Sequence, residues 1–161
     1  MNFFPRLLML CLALIGWSET ASAAPRGWTT DYEAAQKKAV AEKKVMLLNF
    51  MGDMKKNANM EKLHNELLLK DAFYEYAEAN GVILVDIVVD AKSAQRDLYK
   101  FAKSIPQKYR VTGYPVILFA APNETELGRT GYIAGGPEAF FKLFEEWRGK
   151  FEKGKDQPKA P

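Results

Sequence analysis

Cysteine is almost missing from this 161-residue chain. The single one, Cys11, lies inside the apolar stretch Leu7–Ile15, so once that stretch is removed no thiol remains for a disulfide or a thiolate nucleophile. Histidine is as scarce: His64 stands alone, and no Ser-His-acid set can be assembled. No two acids pair on one element, no glycine-rich phosphate loop occurs, and no internal repeat is visible. The longest apolar run has nine residues, far short of the roughly 20 that a membrane-spanning helix requires. Blocks of like charge are lacking too. Lys37, Lys38, Lys43 and Lys44 are set against Asp31, Glu33 and Glu42, and the net charge is +3. That dispersed pattern describes a solvated face, and nucleic acid is not an expected partner.

What is present begins with a leader. Arg6, the apolar run Leu7–Ile15 and the small-residue site Ala21-Ser22-Ala23 read as a secretory signal over residues 1–23. Leu10, directly before Cys11, is too bulky for a lipid-attachment site. The expectation is therefore a periplasmic or secreted protein, free of the membrane after cleavage and monomeric. One domain would span residues 24–153. A polar, proline-bearing tail over 154–161, GKDQPKAP, is expected to be disordered.

Within the domain, Thr30 and Glu33 form a capping box ahead of a helix with Tyr32, Ala35, Ala39 and Val40 on its apolar stripe. Val45–Phe50 is a buried strand. A helix follows from about Met60 to Lys70 and restarts at Asp71, with Phe73, Tyr76 and Ala77 inward. Val82–Val89 is apolar almost throughout, which predicts a strand covered on both faces. Ser93–Lys103 reads as a further helix ended by Ile105-Pro106. Val116–Ala120 and Leu127–Ile133 flank a turn at Pro122-Asn123-Glu124 and form a hairpin. Phe140, Phe141, Phe144 and Trp147 give the last helix its buried face. Two strands joined by a helical crossover pair in parallel, and the hairpin adds an antiparallel edge. The fold class is α/β, a four-stranded mixed sheet with helices on both faces.

The chain is organised around Val45–Leu63, VMLLNFMGDMKKNANMEKL, a strand, a loop and a helix entrance. Helix entrances present unpaired N–H groups and partial positive charge, so side chains there are the first candidates for chemistry. Together with the element order and Val111-Thr112-Gly113-Tyr114-Pro115, this stretch resembles the thioredoxin-like family from about Trp28 to Trp147. The resemblance implies a cis proline at Pro115, facing the helix entrance. Tyr132-Ile133-Ala134-Gly135-Gly136 is similar to exported bacterial members.

A member of that family would carry Cys-x-x-Cys at the entrance. Aligning Leu63 with the leucine that follows the motif places Asn57 and Met60 where the two cysteines would stand. The strand carboxylate that would handle the proton corresponds to Asn49, which cannot titrate. The resemblance thus implies a domain without redox turnover or cofactor. The loop can still lay an extended peptide or partner protein beside the sheet, with Thr112, Tyr114, Pro115, Asn57 and Met60 as the binding residues. An alternative uses Met54, Met60 and His64 as soft ligands for Cu(I), although methionine at a helix entrance is more often packing. Asp86, an acid inside an apolar strand, is read as reaching solvent at a strand edge rather than as a buried carboxyl. Asn123-Glu124-Thr125 fits a glycosylation sequon but is read as a turn.

Overall fold

A computed structural model describes residues 26–52, 55, 57–88 and 104–155. The leader with Cys11, residues Asp53, Met54 and Asp90, the helix expected over Ser93–Lys103, and residues 156–161 lie outside the described residues. The elements run β1 (Trp28–Thr29), α1 (Tyr32–Glu42), β2 (Met46–Met51), α2 (Ala58–Leu63), a π-helical turn (His64–Leu68), α3 (Asp71–Ala79) and β3 (Ile83–Val88). A short helix, α4 (residues 104–108), precedes β4 (Val116–Ala120), β5 (Glu126–Thr130) and α5 (Gly136–Lys155).

The strands form one mixed sheet in the order β1-β3-β2-β4-β5. β3 runs parallel to both β1 and β2, while β2–β4 and β4–β5 are antiparallel. The strand beyond the expected four is β1. It pairs only Trp28 with Leu84 and Thr29 with Val85, too few residues for an alternating pattern to announce it. Other boundaries also differ. Asp31, not Thr30, caps α1: its carboxylate accepts the Ala34 N–H at 2.9 Å. Pro106 falls inside α4 instead of ending a helix, and α5 continues to Lys155, into the expected tail.

Side chains of β2 alternate between two cores, as the period of a strand requires. Met46, Leu48 and Phe50 enter a core with Tyr32 and Ala35 of α1, Val85 and Ile87 of β3, and Ile105 and Tyr109 at α4. Leu47 enters the other, with Leu63 and Leu67, Phe73 of α3, and Phe140, Phe144 and Trp147 of α5. Phe141 is only partly buried and stacks on Tyr76 with ring centroids 4.5 Å apart. At β5 the second core is so close that a Cβ on Gly128 would stand 2.1 Å from the Trp147 indole nitrogen. Glycine is what lets that ring lie against the strand.

The π-helical turn closes with the Leu69 N–H donating to the His64 carbonyl at 2.9 Å. It spends one extra residue within the helix. Leu63, Leu67 and Leu68 thereby all stay buried, although no single α-helical spacing would align the three.

Candidate functional site

β2 delivers the chain to Gly52, and α2 begins six residues later under the cap of Asn57. Asn57 has extended backbone, with φ −146° and ψ 107°, and its Oδ1 accepts the Asn59 N–H at 2.9 Å. This satisfies one of the N–H groups that a helix start leaves open. The other end of the same amide reaches across the site, where Nδ2 donates to the Tyr114 carbonyl oxygen at 2.9 Å. One side chain therefore caps the helix and ties it to the loop before β4. The Tyr114–Pro115 peptide bond is cis.

Tyr114 is half-buried, and a Cβ on Gly52 would meet its ring at 3.4 Å. The Met60 methyl lies at 3.5 Å from the same point, and the Met60 sulfur accepts the Gly52 N–H at 3.1 Å. Asn57, Gly52, Met60 and Tyr114 thus form one contact group. Met60 does not stand at its rim as a surface contact. It is 4% exposed and fills the space beneath the entrance. Pro115 is buried, while Thr112 and Gly113 are exposed. Of the alternative soft ligands, Met54 lies outside the described residues and the Met60 sulfur is engaged with Gly52. Among the described residues no three His, Cys, Asp or Glu side chains gather as a metal set.

The strand that leads to the entrance carries half of a polar pair that sequence reasoning left apart. Asn49 of β2 and Asp86 of β3 are direct partners in the parallel register, and Asn49 Nδ2 donates to Asp86 Oδ1 at 2.9 Å. β1 pairs with β3 only as far as Val85, so at Asp86 the strand has β2 alone beside it and the side chain is half-buried, in keeping with the expected strand edge, while its carboxylate turns to Asn49. Burial pushes its carboxyl above the ordinary range, against the opposing pull of the Asn49 donor and of His64. A carboxyl is therefore bonded to Asn49 after all, supplied by the neighbouring strand. The signal that could have found it was the acid at the middle of VILVDIVV, matched against the one polar residue in VMLLNF.

Beyond the site, the Tyr132 hydroxyl donates to Glu66 at 2.7 Å and the Lys62 ammonium lies 5.6 Å from the Tyr132 ring centroid. The segment after β5 is thereby fastened to α2 and the π-helical turn. Among the described residues no helix is long and apolar enough to cross a membrane.

No protein-family model and no curated protein matches the chain. Solved structures do. The DsbH oxidoreductase superposes with a TM-score of 0.69 at 21% identity, covering 83% of this chain and 91% of its own. A thioredoxin from Thermus thermophilus gives 0.59 at 18% identity, with 83% and 97% covered. The oxidised C-terminal domain of DsbD from Neisseria meningitidis gives 0.52 at 13%, with 71% and 90% covered. At such identities the likeness is one of backbone architecture, and the site must be read from its own residues. The chain has the thioredoxin-like fold, built on a sequence that contains no Cys-x-x-Cys.

Proposed function

We propose that this protein is an exported, redox-inactive thioredoxin-like domain that binds an extended peptide or a partner protein along the Thr112–Pro115 loop. The observation that carries this reading is the Asn57 amide. At the helix entrance, where chemistry of the thiol kind would need sulfur, an uncharged side chain holds the loop by a hydrogen bond to the Tyr114 carbonyl. The loop and the entrance are kept in register without sulfur, and Thr112 and Gly113 stay open to solvent.

Main-chain pairing needs only free donors and acceptors at an accessible edge. The Tyr114 carbonyl has two lone pairs, so its bond to Asn57 leaves one acceptor site for an incoming strand. Tyr114 supplies an aromatic surface at the rim with part of its ring already ordered against Gly52, which limits the entropy lost on contact. Asn57, Thr112, Tyr114 and Pro115 form the binding set, and Met60 supports them from below.

Two measurements test the proposal. Purified protein should show no dithiol-dependent reduction of a disulfide substrate, and turnover above the uncatalysed rate would overturn the redox-inactive assignment. Crosslinked recovery of partners from the native compartment should fall about tenfold in Tyr114→Ala, the size of losing roughly 1.4 kcal/mol of contact. Recovery unchanged in both Tyr114→Ala and Thr112→Trp would remove the loop as the binding site.

A further inference from the structure

The Asn49–Asp86 pair has a feature that the binding function does not use. Asn49 is 5% exposed, and its side-chain oxygen, Oδ1, is buried with no hydrogen-bond partner. Its nitrogen already donates to Asp86 Oδ1. An ionised carboxylate beside it is acceptor-only and cannot supply the missing donor. An acceptor left unpaired in a low-dielectric interior is unfavourable, and the amide cannot cure this by rotating, since rotation would set its oxygen against the carboxylate.

We propose that the Asn49–Asp86 pair is a proton-binding site, in which the half-buried Asp86 takes one proton from solvent and its hydroxyl donates to the buried Asn49 Oδ1. A carboxylic acid and a primary amide then face each other in a reciprocal ring. The amide N–H donates to the acid carbonyl, the acid O–H donates to the amide carbonyl, and the orphan acceptor is satisfied. The register places the two residues directly opposite one another, as the ring requires. Only an O–H bond forms, and uptake leaves the pair uncharged within its core.

The surroundings supply one titratable group that opposes a neutral pair, and burial outweighs it. Among the described residues, the titratable side chain acting on Asp86 from a neighbouring element is His64, on the π-helical turn. On the other side of β3, β1 ends at Thr29 opposite Val85, one residue short of Asp86. In α3, Asp71, Glu75 and Glu78 are exposed, as are Glu138, Glu145 and Glu146 in α5, while Glu66 is held by Tyr132. Both helices turn phenylalanines into this core instead. Burial raises the Asp86 carboxyl in the direction the ring demands. Asn49, on β2, lies three residues before Gly52, whose N–H holds the Met60 sulfur.

Carboxyl-carbon NMR on aspartate-labelled protein, followed from about pH 4 to about pH 9, reads the site directly. The Asp86 resonance should titrate above the ordinary aspartate range, and the Asn49 side-chain amide resonances should shift with the same midpoint. An ordinary midpoint, or an Asn49 amide that stays still while Asp86 titrates, overturns the proposal. Asp86→Asn provides the second arm, since an amide in that place can both donate to Asn49 Oδ1 and accept from Nδ2 without titrating. The urea midpoint of the unaltered protein should decline with rising pH, and Asp86→Asn should lose that decline. The same decline in Asp86→Asn would assign the effect to another group.

Discussion

Polar clusters lie in both cores of the sheet, and their completeness differs. On the α1 face, the Tyr32 hydroxyl donates to Glu124 at 2.8 Å and lies 3.0 Å from the Tyr109 hydroxyl. Lys108 pairs with Glu124 and sits 5.9 Å from the ring centroids of both tyrosines. Every group in that cluster has a partner, and together they tie α1 and α4 to the turn between β4 and β5. On the opposite face, Asn49 and Asp86 share one hydrogen bond and leave one acceptor unpaired. The first cluster is finished by the protein itself. The second is finished only when something is added, and it is the one on the strand that leads to the helix entrance. Local rules of polar satisfaction hold where a group serves the fold and lapse where another constraint competes.

Changing the α1-face cluster should have the largest effect on folding. Tyr32 is 5% exposed, so Tyr32→Ala removes a buried ring as well as its hydroxyl and should cost about 3–5 kcal/mol by chemical denaturation. Tyr32→Phe keeps the ring. Glu124 then retains Lys108, and the loss should be nearer 1 kcal/mol. If the two variants destabilised equally, the cluster would be a set of hydrogen bonds first and packing second.

On the other face, Asp86→Ala should cost about 1–3 kcal/mol, because the Asn49 amide is then buried with its donor unmatched as well. Replacing both residues by leucine should recover most of that loss, since the penalty belongs to unpaired groups and not to absent polarity. The clusters should also respond to pH with opposite signs. The Lys108 partner lowers the Glu124 carboxyl, so its contribution is complete above the unfolded carboxylate range and is lost as pH falls through the folded value. Asp86 is raised by burial, so the stability of its protonated form is complete below that range and is lost as pH rises through the folded value. Denaturation midpoints of Glu124→Gln and Asp86→Asn against pH should separate the acid limb from the alkaline one.

These contacts also show what could be read from residues alone. VMLLNF and VILVDIVV announce buried strands because parallel strands covered on both faces need apolar residues at nearly every position. The last helix is equally plain from its aromatic spacing. Asn49 and Asp86, however, are 37 residues apart and meet only through strand register, which composition does not express. Alignment from Leu63 sets Asn57 where a first cysteine would stand, yet its hold on Tyr114 spans 57 residues. Met60 reads from the sequence as a binding residue or a soft ligand, although methionine at a helix entrance is more often packing, and packing is the role it takes. The Gly52 N–H, needing an acceptor, draws its sulfur inward. The two-residue β1 and the π-helical turn have no periodic signature of their own.

The smallest expected effect on folding bears most closely on the site. Asn57 does two things at once, and substitution can separate them. Asn57→Ala removes both the helix cap and the tie to Tyr114, and should cost about 1 kcal/mol, the usual worth of a cap. Asn57→Asp keeps an oxygen that can accept the Asn59 N–H and adds a negative charge favoured at a helix start. It has no donor for the Tyr114 carbonyl, and two acceptors would face each other across the site. Stability should therefore stay within about 0.5 kcal/mol of the unaltered protein, while amide exchange at Gly113 and Tyr114 quickens and partner recovery changes. If Asn57→Asp left both exchange and recovery untouched, the amide would be a helix cap alone, and the loop would owe its position to the Tyr114 ring packed on Gly52.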